Sequence, residues 1–267
     1  MLIKEEQLVH WIDHFYGYGS WEAKVWFIAH EESGGDLPEE LSEKLASFFD
    51  ASHNINDLRL HDIRALYKQV NFRVEGPRAA LFKTFFDYRF GDNAVLHGTW
   101  KNLIAFIHGY QGKKIKDLLS YQQKHLAQPS ARSEALIKLY PLPAHDHAWY
   151  YSWLDLSPAL KFLKTRSMYQ EHMYAHRIQT ILQNIVKYQP EVVLMYGMEN
   201  INTLKQSIQG FFPSAKFSMV KAIKQQIPQH HRTTVDGTTI LLTTQVPSLR
   251  HNRIETGFDW EAVGKLV

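Results

Sequence analysis

The chain contains no cysteine. That excludes disulfides, thiolate nucleophiles, Cys-ligated zinc and iron–sulfur clusters together. It also lacks any apolar run near the roughly 20 residues needed to span a membrane, so no membrane partner is expected. The opening Met1-Leu-Ile-Lys-Glu-Glu-Gln7 puts acids where a secretory leader has its apolar core, and a cytoplasmic location is the expectation. Neither sign of charge dominates: 30 Lys and Arg face 27 Asp and Glu, and the net +3 leans only weakly toward phosphate-rich partners. Gly-x-Ser-x-Gly, His-Glu-x-x-His and a phosphate loop ending in Lys-Ser/Thr are all missing. No cofactor and no metal is expected.

Aromatic residues, by contrast, are plentiful. The 15 Phe, 13 Tyr and 7 Trp exclude global disorder and supply a large core. Three short apolar runs, Lys24–Ala29, Glu191–Tyr196 and Thr239–Thr244, read as strands buried on both faces. Ala135–Leu139 is a weaker fourth, and Phe217–Ala222 a fifth or an edge strand. Helical periodicity predicts helices over Glu39–Phe49, Trp100–His108, Asp117–Leu126, Met168–Tyr188, Asn200–Gln209 and Asp259–Leu266. The alternation predicts one α/β domain over 1–267, a three-layer α/β/α arrangement with a central, mainly parallel sheet. The stretch from about 54 to 128 shows no clear strand and reads as a helical insertion. There is no linker and no repeat, and a monomer is expected.

In such sheets ligands collect beyond the carboxyl ends of the strands, so the residues after each run matter most. The first run leads into His30-Glu31-Glu32-Ser33-Gly34-Gly35, two adjacent carboxylates followed by two glycines. A carboxylate at a strand end can orient water, and Gly34 and Gly35 let backbone N–H groups approach a ligand. The competing reading is an acidic turn that opens the helix at Leu37-Pro38-Glu39. The last run leads into Gln245-Val246-Pro247-Ser248, with Arg250, His251 and Arg253 close behind. Ser248, Arg250 and Arg253 suit a phosphate, or form an ordinary basic turn. Between them, Tyr140-Pro-Leu-Pro143 and the cluster Trp149-Tyr-Tyr-Ser-Trp153 can stack bases, or else pin a loop over the core.

The order of these loops resembles the uracil-DNA glycosylase superfamily. Val25-Trp-Phe-Ile-Ala29 leading into His30-Glu31-Glu32-Ser33-Gly34-Gly35 is similar to that family's water-activating turn, Gly-Gln-Asp-Pro-Tyr or Gly-Glu-Ala-Pro-Gly. Val246-Pro-Ser248 resembles its His-Pro-Ser loop, Glu191–Gly197 its penultimate strand, and Leu139–Pro143 its uracil-reading strand end. The resemblance covers roughly residues 20–35 and 135–260. It departs at Ala29, where the family has Gly, and at Glu31, where the best-known branch has Asp. Val246 stands at the family His, and no Asn occurs near Lys138 to Tyr140.

The resemblance implies excision of a base from DNA by hydrolysis of the N-glycosidic bond, or binding of DNA or a nucleotide without cleavage. It implies Glu31 or Glu32 as the carboxylate that holds water and Gln245 or His251 as donor to the departing base. His30, Gly34, Gly35, Tyr140, Trp149, Ser248, Arg250 and Arg253 would then contact substrate. The 15 His also raise a metal reading, through His10/His14 and His172/His176 at i, i+4 spacing, but no third ligand is set by spacing.

Overall fold

The computed structural model describes residues 3–32, 37–54, 58–73, 75–77, 79–143, 149–223, 227–248 and 258–267. In chain order the elements are α1 (Glu5–His14), β1 (Gly17–Tyr18), β2 (Val25–Glu31), α2 (Pro38–Ser52), α3 (Ile63–Tyr67) and α4 (Phe85–Phe90). Then come α5 (Gly98–Gln111), α6 (Leu118–Lys124), β3 (Glu134–Tyr140), α7 (Arg166–Tyr188), β4 (Val192–Tyr196) and α8 (Ile201–Phe211). The chain closes with β5 (Ser218–Val220), β6 (His230–Val235), β7 (Thr238–Leu242) and α9 (Trp260–Lys265). None of the described helices is long and apolar enough to cross a membrane.

Among the described residues seven strands form one sheet in the order β1-β3-β2-β4-β7-β6-β5. The middle four, β3, β2, β4 and β7, pair in parallel, with Phe27 opposite Leu136 on one side and Leu194 on the other. Both edges are antiparallel, β1 against β3 and the β7–β6–β5 ladder, so the sheet is mixed, with the expected parallel pairing confined to its centre. The cause at the second edge is a two-residue turn. Asp236 and Gly237 both take positive φ, 47° and 86°, the geometry of a tight hairpin between β6 and β7. A dipeptide Asp-Gly before an apolar run carries that signal, and it turns the chain back so that β6 and β7 run antiparallel.

The central strands are buried and largely apolar because helices cover both faces. Phe27 packs edge-on against Phe106 of α5, at 5.5 Å, while its neighbour Trp26 faces Trp21, which stacks on Tyr188 of α7. Adjacent side chains on a strand point to opposite faces, so α5 and α7 lie on opposite sides of the sheet. Trp26 is fully buried and donates its Nε1–H to the Ala23 carbonyl, which makes it part of the core. Within 54–128 the described residues form α3 to α6, with isolated bridges at His61 and between Asn71 and Thr84.

Candidate functional site

The parallel strands end on one rim. Glu31 of β2 stands beside Tyr140 of β3, and Ala29 beside Tyr196 of β4. The turn after β4 is tied to the segment after β7: Gly197 N–H donates to the Gln245 carbonyl at 3.1 Å and Met198 N–H to that of Thr243 at 3.1 Å. Gly197 has φ +68°, and a Cβ there would sit 3.0 Å from the Val246 side chain, so glycine lets the two loops close together. Between them opens a cleft of about 240 Å³, whose walls include Glu31, Glu32, Lys138, Tyr196, Gly197 and Val246. A second cavity of about 440 Å³ shares His30 and Glu199 with it and is walled by Tyr140, Tyr174 and Gln170.

Glu31 and Glu32 are neighbours in sequence that serve opposite walls. Glu31 is gripped from α7: Arg166 Nε donates to Oε1 at 2.9 Å and Arg166 Nη2 to Oε2 at 2.5 Å. Gln170 Nε2 adds a third bond to Oε1 at 2.6 Å. Arg166 and Gln170 are four residues apart, one helical turn, so both reach the same carboxylate. Paired, charge-assisted bonds of this kind hold a carboxylate in one orientation.

Glu32 turns inward. Its Oε2 meets Lys138 Nζ at 3.1 Å as a charge contact and not an aligned hydrogen bond, and Tyr18 donates its hydroxyl to Oε1 at 3.3 Å. The side chains of Glu32 and Lys138 are only 2% and 9% exposed. Burial, the largest single influence, would depress the Lys138 pKa, but the Glu32 carboxylate and the Tyr196 hydroxyl together hold the ammonium above its ordinary value. Tyr18 and Tyr196 are raised, first by burial, so both hydroxyls stay protonated at neutral pH. Buried ion pairs seldom add net stability, which makes one in a cleft a candidate functional feature.

His97 closes another side of the cleft. Its Nδ1 accepts the backbone N–H groups of Thr99, at 3.2 Å, and Trp100, so it caps α5 in the unprotonated form. Burial, with Arg89 and Lys138 adding to it, lowers its pKa from 6.5 to about 3. Burial likewise lowers His61 to about 4. The unfolded chain takes up these protons below about 6.5 while the folded one refuses them, so stability is full above that value and is lost as pH falls. Each group contributes a slope of about 1.4 kcal/mol per pH unit in that window. His97→Asn keeps an oxygen to cap the helix but cannot titrate. Thermal melts from pH 7 to pH 5 should therefore fall less steeply in His97→Asn than in the wild type. An unchanged slope would mean His97 is not the buried neutral group described here.

His30 is also held below its ordinary pKa, by burial first, against the opposing pull of Glu31 and Glu199. Its Nε2 lies 3.2 Å from Gln170 and 3.7 Å from Glu199, and its ring meets Tyr140 edge-on at 5.0 Å.

Of the residues read from the sequence, His30, Glu31 and Glu32 line the smaller cleft, and Tyr140, together with His30, lines the larger cavity. Trp149 lies elsewhere. Its Nε1–H is held by the Leu163 carbonyl at 2.6 Å and its ring packs on Tyr151 and Tyr169, so it pins a loop over the core. Gln245 contributes its backbone to the rim, with N–H bonded to Thr243 Oγ1, and its neighbour Val246 lines the cleft in its place. Ser248 follows two residues later, its N–H turned back to the Val246 carbonyl at 2.8 Å. Gly34, Gly35, Arg250, His251 and Arg253 lie outside the described residues. The two glutamates do not cap α2, whose N-cap is Leu37 with no side-chain bond.

Among the described residues no three His, Asp or Glu side chains converge on a metal position. His10 stacks on His14 and bonds Ser52 Oγ at 2.7 Å, and His172 stacks on Phe162. The sequence reading passed over Lys138, Arg166, Gln170 and His97. Lys138 carried a signal, a lone charge inside the apolar run Ala-Leu-Ile-Lys-Leu, whereas the α7 pair carried none. No family model matches the chain, and neither the curated proteins nor the solved structures contain a significant match.

Proposed function

We propose that the protein is a DNA glycosylase of the uracil-DNA glycosylase type, which removes a damaged or deaminated base by hydrolysing its N-glycosidic bond. One observation carries the reading. The loops after β2 and β7, far apart in sequence, are the two that the family resemblance singles out, and Glu31 and Val246 wall the same cleft. The cleft is smaller than the 300–1,000 Å³ pockets that hold drug-sized ligands, and suits a single flipped base. In this reading Glu31 holds water against the sugar and stabilises the cation-like transition state, with Arg166 and Gln170 fixing its direction.

A second reading, a relative that binds nucleic acid or a nucleotide without cleaving it, is favoured by one fact. Both oxygens of Glu31 are already engaged by Arg166. Incubation with duplexes carrying uracil, hypoxanthine or 7-methylguanine separates the two. Abasic sites should accumulate with at least one of them under the first reading. Binding without any abasic product supports the second, and neither binding nor product would remove both.

A further inference from the structure

We propose that Lys138 is a further catalytic residue of this cleft, donating a hydrogen bond to a carbonyl oxygen of the bound base and favouring bases that depart as oxo-anions. The inference rests on the glycosylase reading and assigns a role that the sequence motifs leave open. Glycosidic cleavage needs a donor for the leaving base, yet Val246 replaces the family's His and Gln245 contributes backbone at the rim. Lys138 is the cation at the cleft's buried end. It comes from β3, beside Ala29 of β2, and its ammonium carries three N–H donors, more than its contact with the Glu32 carboxylate can use.

Glu32 is the positioning residue. It cannot serve the sugar while held between Lys138 and Tyr18, but it favours the charged ammonium in a place where burial acts against it. A protonated lysine is no nucleophile, so an imine with the sugar is not expected from this residue. In the reaction the C1′–N bond breaks with its electron pair passing to the base. Water forms the new C1′–O bond and gives its proton to Glu31. The base leaves with its charge spread onto a carbonyl oxygen facing Lys138, and takes up a proton from solvent after release. A base alkylated to a cation, such as 7-methylguanine, departs neutral and has no such need.

The test compares wild type, Lys138→Met and the double variant Glu32→Gln/Lys138→Met, which leaves no unpaired charge buried and guards against misfolding. Single-turnover excision of uracil and hypoxanthine should fall about 10²–10³-fold in both variants. Excision of 7-methylguanine should fall at least tenfold less. In Glu32→Gln alone, the alkaline loss of activity should move to lower pH, which a merely structural role would not cause. Binding to a duplex with the uncleavable 2′-fluoro-deoxyuridine, relative to an unmodified duplex, gives a readout independent of turnover. Its preference should drop about tenfold in Lys138→Met.

Equal losses for oxo and cationic bases, or none, would overturn the role of Lys138 while leaving the glycosylase reading in place. Excision confined to 7-methylguanine would do the same. If wild type cleaves nothing, the glycosylase reading falls, and the fluorinated duplex decides: a preference lost in Lys138→Met keeps the carbonyl contact, and no preference in wild type removes it.

Discussion

Glu31→Gln should slow base excision by about 10²–10⁴-fold. The substitution keeps the volume and one oxygen but removes the negative charge that would stabilise the sugar cation and accept the water's proton. The grip of Arg166 does not prevent this role. A carboxylate has about four lone-pair positions, and the three bonds from Arg166 and Gln170 leave room for one more donor. The same grip costs Glu31 mobility, which is what water placement requires. The Glu31 side chain is only 8% exposed, but the charge left behind, Arg166, is 43% exposed and has Glu199 at 3.7 Å, so the melting temperature should stay within a few degrees. Binding to the fluorinated duplex should be largely retained. A wild-type rate in Glu31→Gln would take the residue out of the chemistry.

Arg177→Ala should destabilise the fold by about 3–5 kcal/mol, near 10 °C in melting temperature for a chain of this size. Arg177 is fully buried on α7, and its hydrogen bonds go to backbone carbonyls and not to a carboxylate. Its Nε donates to the Leu139 carbonyl at 2.9 Å and its Nη2 to that of Lys138 at 2.8 Å. Its guanidinium lies over the Tyr16 ring at 3.5 Å. Truncation removes two charge-assisted bonds, leaves a cavity under the sheet and loosens the end of β3 that carries Lys138. Arg177→Met fills much of the space without the charge and should lose less. Chemical denaturation of the two variants measures both, and an alanine variant within 1 kcal/mol of wild type would show that the carbonyls find other partners.

Sequence and tertiary structure divide the account along a physical line. Val25–Glu31, Val192–Tyr196 and Thr238–Leu242 were legible as strands because a central strand must be apolar on both faces. The long helix Arg166–Tyr188 was legible through its stripe at Ile178, Ile181, Leu182 and Ile185. The helix Glu5–His14 carries a shorter stripe of the same kind, Leu8, Trp11 and Ile12. At one edge Ser218–Val220 was legible, inside the run Phe217–Ala222. The other edge, Gly17–Tyr18, is only two residues long, and the inner ladder strand His230–Val235 reads His-His-Arg-Thr-Thr-Val, with little apolar pattern, so neither was legible.

At the site, position after a strand was enough to pick out Glu31 and Glu32, because the carboxyl ends of parallel strands share one rim. What each carboxylate does was decided by tertiary structure alone. Adjacent residues at a strand end diverge, so one met Arg166 and Gln170 from a helix 135 and 139 positions away in sequence, and the other met a lysine from the next strand. Periodicity reports which face is buried. It carries no information about which distant side chain waits there, and the partner sets whether a carboxylate faces substrate or holds a buried ammonium in place.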